Sequence, residues 1–361
     1  MKKIAVILPK GEGFSDDSFG AISLCIKDFT LNSKYKDDIT VLGGIDLPAF
    51  AGINYQTMKP TKWYENRTRS YAKNCAKFIN RNNINLVEIQ NRPCFVKLLT
   101  GRVNCKIALH LHNDPLEMDS ARTIKERMQL LKICDAIYCV SDYIKKRFME
   151  GLEEQYSAKI HVVYNGIELT NKITEKQNII LFAGRMTEGK GALLLAQALN
   201  ICLPKLPEWK AVFIGSRRHQ AGMKLTLHEQ EIYSTLSPLG KQAEMVGFLS
   251  HNETMNYFAI SNIAVIPSIW QEPFGRTAIE AMSRSCALIS SGTGGLLEIT
   301  ANAALTIRNL TPENLARNIT ELALDSEKRK ELKEKAKTRA ALFDIKVVTA
   351  RLDEIREKIL L

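Results

Sequence analysis

A glycine loop with two cations marks the first place where this sequence could do chemistry. Ile179-Ile180-Leu181-Phe182-Ala183-Gly184-Arg185-Met186-Thr187-Glu188-Gly189-Lys190-Gly191 reads as a strand and a loop, and Ala192–Leu203 follows with a helical pattern. A helix N-terminus offers unpaired N–H groups and partial positive charge, so anions bind there. Glycines let the backbone approach a phosphate, and Arg185 and Lys190 add two full charges. The spacing Gly184-x4-Gly189-Lys190 comes close to a P-loop, but Gly191 stands where that loop needs Ser or Thr to hold magnesium. No apolar strand ending in Asp supplies the partner motif of such an NTPase. The plainer reading is a strand-to-helix turn with solvated charges.

A second strand-loop-helix unit runs from Ile263 to Met282, through Pro267, Glu272-Pro273-Phe274-Gly275-Arg276-Thr277 and Glu280. Glu272 falls in the loop and Glu280 on the helix. Eight helical residues rise about 12 Å, wider than the ~5 to 9.5 Å between the carboxylates of a glycosidase. The two glutamates suit two parts of an elongated ligand instead. Carboxylates accept from sugar hydroxyls, which fits a nucleotide-sugar with ribose at one end and hexose at the other. The competing readings are an i,i+4 pair of Glu280 with Arg276, and for Glu272 a loop carboxylate near a helix N-terminus. A third glycine loop, Ser290-Ser291-Gly292-Thr293-Gly294-Gly295, is weak alone and gains value beside the other two.

In the first half, Gly11-Glu12-Gly13-Phe14 follows the first apolar run and lacks full G-x-G-x-x-G spacing, so a nicotinamide cofactor is poorly supported. His110 and His112 close the run Ile107–Leu111 and, by alternation, share a face. His112, nearer the strand end, is the better candidate to look into a site. The six histidines are scattered without ligand spacing, so no metal site is expected. Arg69, Lys73, Lys77 and Arg81 recur every four residues beside an apolar stripe of Tyr71, Ala72, Cys75, Phe78 and Ile79. This row is either a solvated helix face or a surface for anionic lipid or a phosphorylated acceptor, each charge there being worth about 1 kcal/mol. Nucleic acid is not expected, since no recognised binding fold accompanies the charge.

The elements that must position these groups are legible as short apolar runs alternating with helical patterns. The runs are Ile4–Leu8, Ile39–Leu42, Leu86–Ile89, Ile107–Leu111, Ala136–Val140 and His161–Tyr164, then Ile179–Ala183, Ala211–Ile214, Met245–Phe248, Ile263–Ile266 and Ala287–Ile289. Such strands imply α/β folding with parallel sheets covered on both faces, and two sets of them imply two Rossmann-like domains. A polar stretch over 165–178 marks the boundary, and from Thr311 the pattern is helical to the end, with Asp344 placed to cap a last helix. The expected division is 1–165, 178–343, and a helix over 344–361.

The chain has 361 residues, 45% hydrophobic and 25% charged, which suits two globular domains. Its net charge of +11 favours anionic partners without choosing among them. Eight cysteines (Cys25, Cys75, Cys94, Cys105, Cys134, Cys139, Cys202 and Cys286) form no C-x-x-C pair, as expected of reduced core thiols in the cytosol. The first apolar run is too short for a signal peptide, and no stretch approaches the ~18 apolar residues of a membrane span. A cytoplasmic protein, at most peripheral on the inner face of a membrane, is the expectation.

Taken together, these motifs resemble the donor-binding domain of the family 4 glycosyltransferases, which have the GT-B architecture: two Rossmann-like domains facing a cleft, with a C-terminal helix returning to the first. The resemblance rests on Gly184-Arg185 with Lys190-Gly191, on Glu272-x7-Glu280, and on Ser291-Gly292-Thr293-Gly294-Gly295 with Met245-Val246-Gly247-Phe248. Tyr164-Asn165-Gly166-Ile167-Glu168 is similar to the opening of the family's interdomain linker, and the N-terminal half matches in outline through Gly11, Gly13 and His112.

The resemblance implies a retaining hexosyl transfer without metal or other cofactor, from a UDP- or GDP-sugar to a lipopolysaccharide, lipid-linked or polysaccharide acceptor. Arg185 and Lys190 would hold the diphosphate, and Glu272 would orient the donor sugar. Glu280 would bind the ribose, and His112 would touch the sugar from the opposite domain. Gly11, Gly13, Gly184 and the backbone N–H groups of Phe274, Gly275, Arg276 and Thr277 would line the donor, with the base near Val246. Two departures stand out: Gly11-Glu12-Gly13 lacks the family's adjacent glycines, and Ile214-Gly215-Ser216-Arg217-Arg218 lacks its second glycine, leaving Arg217 or Arg218 as a substitute phosphate contact. The rivals are a nucleotide-sugar epimerase and a non-catalytic protein that binds anionic lipid or nucleic acid.

Overall fold

The computed structural model describes residues 2–46, 49–59, 67–170, 174–217 and 224–361. The chain divides into two compact units, Met1–Gly166 with Ile345–Leu361, and Ile167–Asp344.

The first unit is a seven-stranded parallel sheet. Its strands are β1 (Ile4–Ile7), β4 (Ile39–Gly43), β5 (Asn54–Thr57), β6 (Leu86–Gln90), β7 (Lys106–Leu111), β8 (Ala136–Cys139) and β9 (Ile160–Val162), in the order β5-β4-β1-β6-β7-β8-β9. A two-strand antiparallel hairpin, β2 (Phe14–Ser15) with β3 (Ser18–Phe19), follows β1. The crossovers are α1 (Ala21–Asn32), α2 (Arg67–Arg81), α3 (Pro93–Leu99), α4 (Ile124–Ile133) and α5 (Asp142–Met149). Strands β1, β4, β6 and β8 are buried along their whole length, as continuous apolar runs between two helical layers must be.

The second unit is a six-stranded parallel sheet. Its strands are β10 (Gln177–Ala183), β11 (Lys210–Ile214), β12 (Ala243–Gly247), β13 (Ser261–Ile266), β14 (Ala287–Ser290) and β15 (Ala304–Thr306), in the order β12-β11-β10-β13-β14-β15. Its helices are α6 (Ala192–Cys202), α7 (Leu227–Leu236), α8 (His251–Ile260), α9 (Arg276–Ser283), α10 (Leu296–Thr300), α11 (Pro312–Leu324) and α12 (Ser326–Ala340). Their starts are written locally: Thr226 with Glu229 and Ser250 with Glu253 form reciprocal capping boxes, each cap being worth about 1 kcal/mol.

The last helix, α13 (Ile345–Leu360), belongs to the first unit. Ile345, Val348 and Leu352 join the core around Ile4, Val6 and Phe29. Arg356 grips Glu88 of β6 through Nε (2.8 Å) and Nη2 (2.7 Å), and also reaches Asp353 and Ser33. All four side chains are buried. Burial alone would drive the guanidinium toward neutrality, but the Glu88 charge wins and holds it protonated. Removing one partner of such a pair costs about 3–5 kcal/mol, because the other charge is left unmatched.

Three features differ from the sequence reading. β5 and β15 carried no apolar run, and both are edge strands, where one side lacks a neighbour and alternation or partial exposure replaces continuous burial. The polar stretch after Asn165 is not loose from its start. Ile167 is buried, its N–H donates to Phe343 O (2.8 Å), and it bridges Asp344.

Candidate active site

In the second unit the sheet order reverses between β10 and β13. Open α/β sheets bind ligands outside the carboxyl ends of their strands at such a switch. The loops leaving these strands are 184–191 and 267–275, and they pack directly on each other. Ile269 N donates to Gly189 O at 2.8 Å. Gly191 sits at φ +72°, and a Cβ there would lie 1.9 Å from Pro267 O. The third loop, after β14, closes on the second: Gly295 N donates to Glu272 O at 2.6 Å, and a Cβ on Gly294 (φ +57°) would lie 2.4 Å from Glu272 O. The three glycine loops are therefore one backbone cluster. Contact between loops already demands glycine at 191 and 294, whatever else binds there.

This cluster carries the charges. Lys190 Nζ lies 2.6 Å from Glu272 Oε1, Ser268 Oγ donates to the same oxygen at 2.6 Å, and the ammonium sits 5.2 Å from the Trp270 ring centre. The Lys190 side chain is 22% exposed and Glu272 5%, so solvent reaches the cation more than the carboxylate. Arg185 is exposed and makes no ion pair among the described residues. Gly184, at the end of β10, donates its N–H to Ile214 O (3.0 Å). Phe274 is buried with its ring edge-on to Phe343, while Gly275 and Thr277 are half-buried at the start of α9, whose first turn has no intrahelical acceptor for its N–H groups.

One turn further along α9, Glu280 Oε1 receives Arg276 Nε (3.1 Å) and His251 Nε2 (3.0 Å). Burial alone would raise the Glu280 carboxyl, but the hydrogen bonds and electrostatic pull of His251 and Arg276 overcome it and bring it to about 2. Val246 is half-buried in β12, the edge strand whose terminal Gly247 O accepts from Gly215 N (2.7 Å). Arg217, considered as a phosphate contact, pairs at the surface with Glu188 (3.2 Å) and donates its backbone N–H to Glu229. Arg218 lies outside the described residues. Among the described residues no group of His, Cys, Asp and Glu gathers in a way that could hold a metal ion.

In the first unit the switch falls between β1 and β6. His112 follows β7 and is buried, its Nε2 2.9 Å from Gln90 Oε1 at the end of β6, and its N–H donates to Asn91 Oδ1 (3.1 Å). The His110 and His112 rings stack at 4.3 Å, as alternation requires. Burial lowers His112 to about 3 and His110 well below its ordinary value, so both imidazoles are neutral at pH 7. Gly11 is exposed, and Gly13 O lies 2.6 Å from the Ser23 hydroxyl, which ties the glycine loop to α1. Arg69, Lys73, Lys77 and Arg81 are all exposed along α2, opposite its buried Tyr71, Ala72, Cys75 and Ile79. The eight cysteines are all free thiols, and among the described residues no helix is long and apolar enough to cross a membrane.

The structure brings Lys190 to Glu272 and Arg276 to Glu280, and Arg185 is a member of neither pair. Sequence reasoning missed Ser268, Trp270, Gln90 and His251. Gln90 had a signal, a polar residue at the carboxyl end of an apolar strand. His251 had only its place one residue after the Ser250 cap.

Residues 168–339 match the family glycosyl transferases group 1, and residues 44–171 match glycosyltransferase family 4. The putative glycosyltransferase YtcC of Bacillus subtilis is 24% identical over 94% of this chain and 88% of its own length. The lipopolysaccharide 1,2-N-acetylglucosaminetransferase of Salmonella typhimurium is 25% identical over 65% of this chain and 62% of its own. The fold is like that of Anabaena HepE, whose structure was solved in complex with UDP-glucose, with a TM-score of 0.79 over 99% of this chain and 100% of that one at 16% identity. Both units thus have the Rossmann-like parallel sheets of GT-B enzymes, and the chain belongs to the glycosyltransferases of family 4 that carry the group 1 module.

Proposed function

We propose that this glycosyltransferase moves a hexosyl group, with retention and without a metal, from a nucleotide-diphosphate sugar to a lipopolysaccharide, lipid-linked or polysaccharide acceptor. The observation that carries this reading is the charge at the β10/β13 switch, where Lys190 and Glu272 meet on the glycine cluster beside exposed Arg185. Departure of a nucleoside diphosphate develops negative charge, and fixed cations facing it lower the barrier without reorganising. Lys190 and Arg185 supply that charge from the chain itself. Glu272, held by Ser268 and Lys190, keeps an acceptor for sugar hydroxyls, and Glu280 keeps one for the ribose. In the first unit neutral His112 offers a hydrogen-bonding ring to a saccharide, and the exposed cationic row of α2 suits an anionic acceptor or membrane surface. The Salmonella relative favours a lipopolysaccharide acceptor, and the UDP-glucose in HepE makes UDP-sugars the first donors to try.

The test is a thermal-shift panel of UDP, GDP, ADP and their glucose and N-acetylhexosamine conjugates, with and without EDTA. A ligand at 100 times its Kd stabilises the native state by about 2.7 kcal/mol. The expected result is a shift from one nucleotide that EDTA leaves in place, followed by NMR of the product showing the donor's anomeric configuration kept. A shift abolished by EDTA overturns the metal-free step. Donor interconverted in the absence of any acceptor would make the protein an epimerase.

A further inference from the structure

The contact of His251 with Glu280 joins two elements that sequence spacing keeps apart. His251 opens α8, a few residues past the end of β12, and Glu280 lies on α9. Arg276 is one turn from Glu280 on the same helix, so their pairing is local. His251 arrives from 29 residues away. Both donors go to one oxygen: Nε of Arg276 at 3.1 Å and Nε2 of His251 at 3.0 Å from Oε1. An ionised carboxylate only accepts, so Nε2 of His251 carries a proton, and the two lone pairs of Oε1 are both used. Oε2 has no partner among the described residues, and the Glu280 side chain keeps 9% of its surface exposed.

We propose that His251 is a positioning residue for the nucleotide: by occupying Oε1 together with Arg276, it turns the Glu280 carboxylate so that Oε2, with both lone pairs open, receives the vicinal hydroxyls of a ribose. This rests on the assignment of Glu280 to the ribose made above. The arrangement does more than place a charge. A carboxylate held by one lateral donor could pivot and satisfy itself elsewhere when the ligand lacks a hydroxyl. Held from two directions, it cannot follow, and a deoxyribose leaves Oε2 desolvated and unmatched. A site built to hydrogen-bond a hydroxyl rejects the analogue lacking it far more strongly than a site that merely tolerates it. His251 therefore sets the selectivity for ribonucleotides over deoxyribonucleotides. Because it sits next to the carboxyl end of β12, it also ties the ribose contact to the strand end expected to lie beside the base.

The experiment measures Kd by calorimetry for UDP, GDP and ADP and for their 2′-deoxy and 3′-deoxy forms, and reads the deoxy-to-ribo ratio. The ratio is insensitive to any inactive fraction, so a partly misfolded variant still reports. Native protein is expected to prefer its ribonucleotide by about 10-fold or more. His251→Leu should lower that ratio several-fold, His251→Gln, which restores an N–H donor at similar reach, should recover most of it, and Glu280→Gln should abolish it. If Glu280→Gln removes the preference while His251→Leu keeps it, His251 is only a packing contact and the proposal falls. If Glu280→Gln itself leaves the ratio unchanged, or native protein shows no preference, the ribose assignment falls, and the proposal with it. Binding by none of the three nucleotides overturns the donor site as a whole.

Discussion

The carboxyl ends of the two sheets are built on opposite principles. In the second unit, loops 184–191, 267–275 and 291–295 press backbone on backbone beside paired polar and charged groups: Lys190 with Glu272, and Arg276 and His251 with Glu280. In the first unit, the corresponding end holds two stacked, neutral, buried histidines, of which His112 is held by Gln90 and Asn91. One end is arranged to meet charge, the other to offer an uncharged polar surface. That division suits a reaction in which one substrate carries a diphosphate and the other is a saccharide.

The comparison breaks first at the charged end. Arg185→Ala and Lys190→Ala should each reduce kcat by about 10²–10³-fold, the usual loss when one group facing developing charge is removed. Arg185 is exposed and pairs with no carboxylate among the described residues, so its variant should keep the native melting temperature. Lys190→Ala should also lose stability, because it strips Glu272 of a partner. If His112→Gln costs as much turnover as Arg185→Ala, the contrast between the two ends is not a contrast in chemistry.

A second test acts on backbone alone. Gly294→Ala would set a Cβ 2.4 Å from Glu272 O at φ +57°, and it should destabilise by about 1–3 kcal/mol and weaken nucleotide binding, read by chemical denaturation and thermal shift. Unchanged binding at reduced stability would separate the loop cluster from the donor.

The third test uses pH. An unfolded histidine takes up its proton near 6.5, whereas folded His112 holds out to about 3. Between these values the unfolded state binds more protons, so the contribution to stability is complete above about 6.5 and is lost as pH falls toward 3. Glu280, lowered from 4.5 to about 2, acts in the same direction at the lower end of that range. His112→Gln should flatten the dependence of unfolding free energy on pH below 6.5 by about one proton, roughly 1.4 kcal/mol per pH unit. An unchanged slope would mean that His112 is not kept neutral by burial.

The smallest effect is expected on α2. Reversing Lys73 and Lys77 together should weaken co-sedimentation with vesicles containing anionic lipid by about 1 kcal/mol per charge, more at low salt than at high. Equal binding to neutral vesicles would assign the row to solvent.

The same contrast explains what was legible in the sequence. The second unit could be read because its glycines are imposed by contacts between loops, and such contacts leave their spacing in the chain: Gly191 against Pro267, Gly294 against Glu272. The i,i+4 pairing of Arg276 with Glu280, weighed against a ligand role, is present in the structure. It leaves Oε2 without a partner among the described residues, so the pairing and a ligand at Oε2 do not compete. The first unit was harder to read because a neutral buried site looks like core. Gln90 and His110 sit in buried strands with no local spacing to set them apart from core. The Arg356–Glu88 pair spans most of the chain and has no local pattern at all. Edge strands β5 and β15 escaped for lack of two buried faces, and Ile167 escaped because its ties are made by backbone groups that carry no residue signature.

The return of α13 to the first unit also has a consequence in time. During synthesis the whole of residues 167–344 leaves the ribosome before Ile345, Val348, Leu352 and Arg356 exist to complete the first core. At ~5–20 residues per second that delay is roughly 10–35 s, and throughout it Glu88 lacks its guanidinium partner. The unit that begins the chain is thus the last to finish folding, while the later unit, contiguous in sequence, can close as soon as it emerges.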